Sequence, residues 1–261
     1  MTPRTRGTLP APGADWAYFF DIDGTLAEIA GLPGDVRVDP ALRRSIAALF
    51  AASGGALALV SGRAIREIDA LFPGVPMPVA GQHGAERRTA NGTVLRHGFP
   101  AERLGWLRER LAALPPAYPG LHLEDKGSSL ALHYRNVPGL ASFVHHRVRS
   151  LAAEYGPGLA VQAGKRVIEL VPDGQSKGGA VLSFLAEPPF CGRLPVFVGD
   201  DVSDETAFDA VNRLDGLSVK VGAGRTMARW RLRDVRAVRA WLEHGTNATP
   251  VQRPAGRRIV P

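Results

Sequence analysis

Residues 16–25 read WAYFFDIDGT: five apolar residues stop abruptly at two aspartates, two positions apart, followed by glycine and threonine. An apolar run without polar alternation suits a strand buried on both faces, as in a parallel sheet. Residues i and i+2 of an extended chain point the same way, so Asp21 and Asp23 can face one pocket while Gly24 lets the backbone turn aside. The scheme then repeats. Asp39 and Pro40 start a helix with Leu42, Ile46, Leu49 and Phe50 at helical spacing, and Gly54 stops it. ALALV (56–60) is a second strand, ending at Ser61. A helix follows over 64–72, and PVAGQHG (78–84) reads as strand and turn.

The middle of the chain has a different period. LHLED (121–125) and SLALHYR (129–135) alternate in the manner of strands and are separated by Lys126, Gly127 and Ser128, a hairpin signal. A helix at 139–155 carries Leu140, Phe143, Val144, Val148, Leu151 and Tyr155 on one side, and LAVQAGKRVIELVP (159–172) reads as a second hairpin turning at Gly164. The α/β pattern resumes with a helix at 177–185, strand LPVFVG (194–199), a helix at 203–214 and strand LSVKVG (217–222). ARWRLR (228–233) alternates apolar and Arg, and Asp234 caps a last helix ending near Gly245. The expected fold class is therefore α/β: a Rossmann-like parallel-sheet core with an inserted smaller α+β cap. The expected division is an N-terminal extension (1–15), core (16–100), cap (101–172), core (173–245) and a disordered basic tail (246–261). At roughly 150 residues per domain, 261 residues suggest about 1.7 domains.

Hydrophobic residues make up 45% and charged residues 22%, which excludes a collagen, a coiled coil or a wholly disordered chain. The net charge is +7. Residues 225–261 hold nine Arg and two acids, which equals the whole excess, so the charge reads as a solvated face or tail rather than a nucleic-acid surface. No apolar run approaches the ~20 residues that span a bilayer. One cysteine, Cys191, and an N-terminus without an apolar leader core suggest a cytoplasmic, reducing location. Of the 32 basic residues only Lys126, Lys165, Lys177 and Lys220 are lysines, so each lysine invites attention.

In open α/β sheets the chemistry gathers at the carboxyl ends of the strands. Those ends read Asp21-Ile22-Asp23-Gly24-Thr25, then Ser61-Gly62-Arg63, then Asp200-Asp201 with Asp204, and Lys177 opens a helix between the last two. Carboxylates this dense do not all stay ionised without compensation, and an all-oxygen set calls for a hard divalent cation, most simply Mg²⁺. A carboxylate nucleophile can take up a phosphoryl group, and a neighbour can serve as acid and then base. Ser61 and Lys177 supply a donor and a point charge for phosphoryl oxygens. No GxxxxGK[ST], HExxH, GxSxG or CxxC pattern is present.

This ordered set resembles the four motifs of the haloacid dehalogenase superfamily of phosphohydrolases: DIDGT (21–25), Ser61, Lys177 and GDDVSD (199–204). The resemblance implies Asp21 as nucleophile, Asp23 as general acid/base, and Mg²⁺ held by Asp21, the backbone carbonyl of Asp23, and Asp200. Asp201 and Asp204 would then act from further out or through water. EDKGSSLALHYR (124–135), GKRVIELVPDGQSKG (164–178), SGR and AGQHGAE (80–86) are similar to the trehalose-6-phosphate phosphatases. That resemblance implies a mobile cap binding a small sugar phosphate through Glu124, Lys126 and Glu169, with Arg63, His133 and Arg135 in the same group. Arg63 is open to two readings, guarding the entrance or pairing with a core acid. His83 either serves the pocket or only shapes a turn, and Glu169, lying in a strand, could simply face solvent. A phosphatase for another sugar phosphate and a catalytically silent regulatory domain are the alternatives.

Overall fold

A computed structural model of the chain describes residues 8–29, 35–74, 76–97, 101–164 and 166–246. Its centre is β1 (Trp16–Phe20), whose side chains go alternately to two cores. Tyr18 and Phe20 pack on one face, Ala17 and Phe19 on the other, all fully buried. Such a strand needs a parallel neighbour on each side, and β1 has β2 (Leu57–Val60) and β10 (Leu194–Gly199). Beyond β2 lies β3 (Val79–Gly81), and beyond β10 lie β11 (Leu217–Val221) and β12 (Trp230–Leu232), all parallel. The chain leaves β1 toward one edge and returns later toward the other, so the strand order reverses beside β1, where ligands bind in doubly wound sheets.

Helices cover both faces. On the Tyr18/Phe20 side lie α1 (Pro40–Ala52), α2 (Ile65–Leu71) and α8 (Val235–Thr246), through Leu42, Ile46, Leu49, Ile68, Val238 and Leu242. On the Phe19 side lie α6 (Lys177–Leu185) and α7 (Glu205–Arg213), through Val181, Phe184, Phe208 and Val211. The expected caps form: Asp39 accepts from Leu42 N–H, and Asp234 from Ala237 N–H. One hairpin has strands too short to show an apolar period. β4 (Glu86–Arg88) and β5 (Val94–Arg96) extend the sheet antiparallel from β3, carrying Glu86, Arg87, Arg88 and Arg96. Their one local signal is Asn91-Gly92, with Gly92 at φ 88°.

Residues 101–172 build a second sheet in the order β6 (His122–Asp125), β7 (Leu130–His133), β9 (Val167–Pro172), β8 (Leu159–Gly164), antiparallel throughout. Helices α3 (Ala101–Ala112) and α5 (Ala141–Tyr155), with the short α4 (Leu114–Ala117) after α3, cover one face. Leu107, Leu111, Leu130, Leu132, Val144, Val148, Leu151, Ile168 and Leu170 make a core separate from those of the large sheet. The opposite face carries the other half of each alternation, with Glu124, Ala131, Glu169 and Gln162 aligned in one cross-strand row. That polar row turns toward the carboxyl ends of β1 and β2, where it forms one wall of a cavity. Residues 247–261, most of the expected tail, lie outside the described residues, as do residues 1–7 of the N-terminal extension. No described helix is long and apolar enough to cross a membrane.

Candidate active site

The cavity between the two sheets is lined from below by Asp21, Asp23, Ser61, Arg63, Lys177, Asp200 and Asp201, and from above by Glu124, Lys126, His133, Arg135 and Glu169. Sequence reasoning had named all twelve. Gly24 explains the tightest approach on the floor: it adopts φ 84°, and a Cβ on it would lie 2.2 Å from Asp200 Oδ2. Glycine therefore admits the motif-four carboxylate against the β1 turn.

Lys177 Nζ donates to Asp21 Oδ1 at 2.7 Å and to Asp204 Oδ1 at 2.6 Å, and all three side chains are almost fully buried. Asp204, expected further out, thus stands inside the cluster, its other oxygen accepting from Asp201 N–H at 2.8 Å. Burial pushes the Asp21 carboxyl well above the usual range; Lys177 opposes this, and Asp204 and Asp200 add to it. Burial works against the Lys177 ammonium, but Asp204 and Asp21 outweigh it and hold the group well above the ordinary lysine range. One oxygen each from Asp21, Asp200 and Asp204 lies within 4.8 Å of the others. These donors are all hard oxygens around an excess of negative charge, so the residues fit a divalent cation such as Mg²⁺. Ser61, buried, accepts from Arg63 N–H at 3.2 Å and keeps its own hydrogen to donate into the cavity.

Arg63 pairs with a core acid: Nε donates to Asp23 Oδ2 at 2.6 Å and Nη2 to Oδ1 at 2.7 Å, a bidentate clamp. On the upper wall, Lys126 Nζ donates to Glu169 Oε1 at 2.5 Å and, across the seam, to the Gly62 carbonyl at 2.9 Å. Glu169 does not face solvent; it is 6% exposed. Burial disfavours its charge, but Lys126 and His83 prevail and hold its carboxyl below the usual range. Glu124 pairs with His133 Nε2 at 2.9 Å; against burial, that contact and Lys126 keep its carboxyl low as well. Arg135 stands on the cavity wall just beyond β7.

The trehalose-phosphatase family model matches residues 19–236, which includes nearly all of both sheets and every cavity residue named above. The chain is 44% identical to trehalose-6-phosphate phosphatase of Escherichia coli over 248 residues, covering 95% of this chain and 93% of that protein. The chain belongs to the trehalose-phosphatase family. Among solved structures it is similar to a trehalose-6-phosphate phosphatase related protein (TM-score 0.73, 28% identity, 87% of this chain and 95% of that one). A phosphatase of the haloalkanoate (HAD) superfamily from Bacteroides thetaiotaomicron shares the fold (TM-score 0.59, 16% identity, 92% of this chain and 99% of that one).

Two further site residues, Gln82 and Lys220, went unassigned from sequence. Gln82 bridges the seam, donating to the Lys126 carbonyl at 2.8 Å and accepting from Ser129 Oγ at 3.0 Å. Lys220, buried in β11, donates from Nζ to the Asp200 carbonyl. Gln82 lies within AGQHGAE, where nothing local distinguishes it. For Lys220 the sole hint was the scarcity of lysine.

Proposed function

We propose that the protein hydrolyses trehalose 6-phosphate to trehalose and phosphate, with Mg²⁺ bound, in the cytoplasm. The observation that carries this reading is one cavity with clustered carboxylates, a serine and a buried lysine on its floor and paired charged side chains on its roof, in a member of the trehalose-phosphatase family. The free, exposed Cys191 fits a reducing compartment.

Asp21, Asp200 and the Asp23 backbone carbonyl would hold Mg²⁺, with Asp204 beside them; when bound, the ion neutralises charge on the phosphoryl oxygens. Ser61 donates to one phosphoryl oxygen and Lys177 offers its ammonium to another. An Asp21 oxygen attacks phosphorus, the bond from phosphorus to the sugar oxygen breaks, and Asp23 delivers its proton to that leaving oxygen. Asp23 then takes a proton from water, the water oxygen attacks phosphorus, and the bond to Asp21 breaks to release phosphate. Both Asp23 oxygens are engaged by Arg63 here, so the acid role requires Asp23 to turn from the guanidinium to the leaving oxygen as substrate enters. Residues 101–172 act as the cap: Glu124, Lys126 and Glu169, with His133 and Arg135, meet the sugar and keep bulk water out.

The test is phosphate release from a panel of sugar phosphates with and without Mg²⁺. Trehalose 6-phosphate is expected to be the preferred substrate, and Asp21→Asn to abolish turnover. Asp23→Asn should lower kcat by about 10²–10⁴, the usual share of a positioned acid/base. Preference for another sugar phosphate, or full turnover in Asp21→Asn, would overturn the proposal.

A further inference from the structure

Above the SGR loop the chain takes an unusual backbone path. Gln82 and His83, consecutive and neither of them glycine, sit at φ 48° and 58°, in the left-handed region that side chains avoid. Strain of this kind persists where surrounding structure enforces it, and it concentrates at functional sites. Gly62 makes room from below: a Cβ there would lie 2.8 Å from His83 Nε2. The result is an imidazole, 9% exposed, whose Nε2 stands 3.0 Å from Glu169 Oε2, off the line of a full hydrogen bond.

Glu169 is therefore gripped unequally. Its Oε1 is taken by Lys126, while Oε2 faces His83 and has no hydrogen-bond donor. A carboxylate oxygen buried beside a positive or donor group, yet without a hydrogen bond of its own, costs stability unless a ligand supplies the donor. A sugar hydroxyl is such a donor; Glu169 lines the cavity wall, and since Oε2 is itself covered here, the carboxylate meets the hydroxyl by turning slightly as substrate enters. We propose that His83 is a positioning residue: by flanking Oε2 from the core side, as Lys126 holds Oε1 from the cap side, it orients Glu169 to accept a substrate hydroxyl. In this role it sets selectivity for a polyhydroxylated substrate over a simple phosphate ester. The inference rests on the proposed function, since it takes Glu169 as a sugar-hydroxyl partner.

The experiment compares trehalose 6-phosphate with p-nitrophenyl phosphate, an ester with no hydroxyl for Glu169. It uses the full chain with Mg²⁺ and the variants His83→Asn, His83→Gln, Glu169→Gln and His83→Asn/Glu169→Gln. Asn tolerates the left-handed backbone but is too short to reach Oε2, whereas the amide nitrogen of Gln can occupy the place of Nε2. Expected for His83→Asn is a rise in KM for trehalose 6-phosphate of about tenfold, because a misaligned Glu169 forfeits its charge-assisted hydrogen bond from the substrate hydroxyl. Its loss in kcat/KM for that substrate should exceed its loss for the simple ester, and His83→Gln should recover part of the difference. The double variant should be no worse than Glu169→Gln alone, because both changes break one interaction. Equal losses on the two substrates, no recovery in His83→Gln, or multiplying losses in the double variant would overturn the proposal. Failure of the functional reading looks different: the wild type then turns over the simple ester but not trehalose 6-phosphate, and the positioning role falls with it.

Discussion

At the scale of single residues, the site is built from compact groups in places where bulk is forbidden. Arg is the default base of this chain, yet the described lysines 126, 177 and 220 all donate within the site. An ammonium can touch two carboxylates in a gap that a planar guanidinium would overfill. Lys177 shows the consequence, since Asp21 and Asp204 share it. Lys177→Met leaves those carboxylates facing each other, and a loss of about 3–5 kcal/mol is expected in chelator, recovered in part by added Mg²⁺, as read by urea denaturation. Gly24→Ala is expected to act differently. Its methyl would displace Asp200, so kcat and the Mg²⁺ concentration for half-maximal rate should suffer far more than the melting temperature.

At the scale of elements, local sequence signals hold wherever a helix or strand settles its own ends. The N-cap of α1 is one case, and it has a second use: Asp39 also pairs with Arg239 of α8, which lies beside α1. Asp39→Ala should cost about 1 kcal/mol through the cap alone, and Arg239→Ala in the same background should add less than it does in the wild type. Thermal melts of the two single variants and the double variant check this coupling. The β4–β5 hairpin shows the limit of local reading. β4 is Glu-Arg-Arg and the edge strand β5 only Val-Leu-Arg, three residues each and too short for an apolar period to mark them.

At the scale of the whole molecule, the seam between the two sheets is polar and is joined by hydrogen bonds and one histidine–carboxylate contact. Lys126 to Gly62, Gln82 to Lys126 and Ser129, and His83 to Glu169 cross it. Glu169, held below its ordinary value of 4.5 by Lys126 and His83 despite burial, gives this seam a pH dependence. A carboxyl depressed in the folded state contributes fully above its unfolded value and loses that contribution as the pH falls below it. The melting temperature of the metal-free protein should therefore fall as pH drops below about 4.5, and less steeply in Glu169→Gln. Equal slopes in the two proteins would show that the seam does not depend on this carboxylate.

Sequence alone marked the fold class, most of the core elements in their order, and the residues that line the floor. Those rest on local rules: apolar period, caps, and the habit of parallel strands to end in functional loops. It also singled out the roof residues, but through resemblance, and it left Arg63, His83 and Glu169 open. Their partners come from the folded chain. Arg63 finds Asp23 forty positions away, His83 finds Glu169 across the seam, and Glu124, Ala131 and Glu169 fall into one row through antiparallel register. Pairing between distant residues depends on which surfaces the core brings together, and no local period in the chain encodes that.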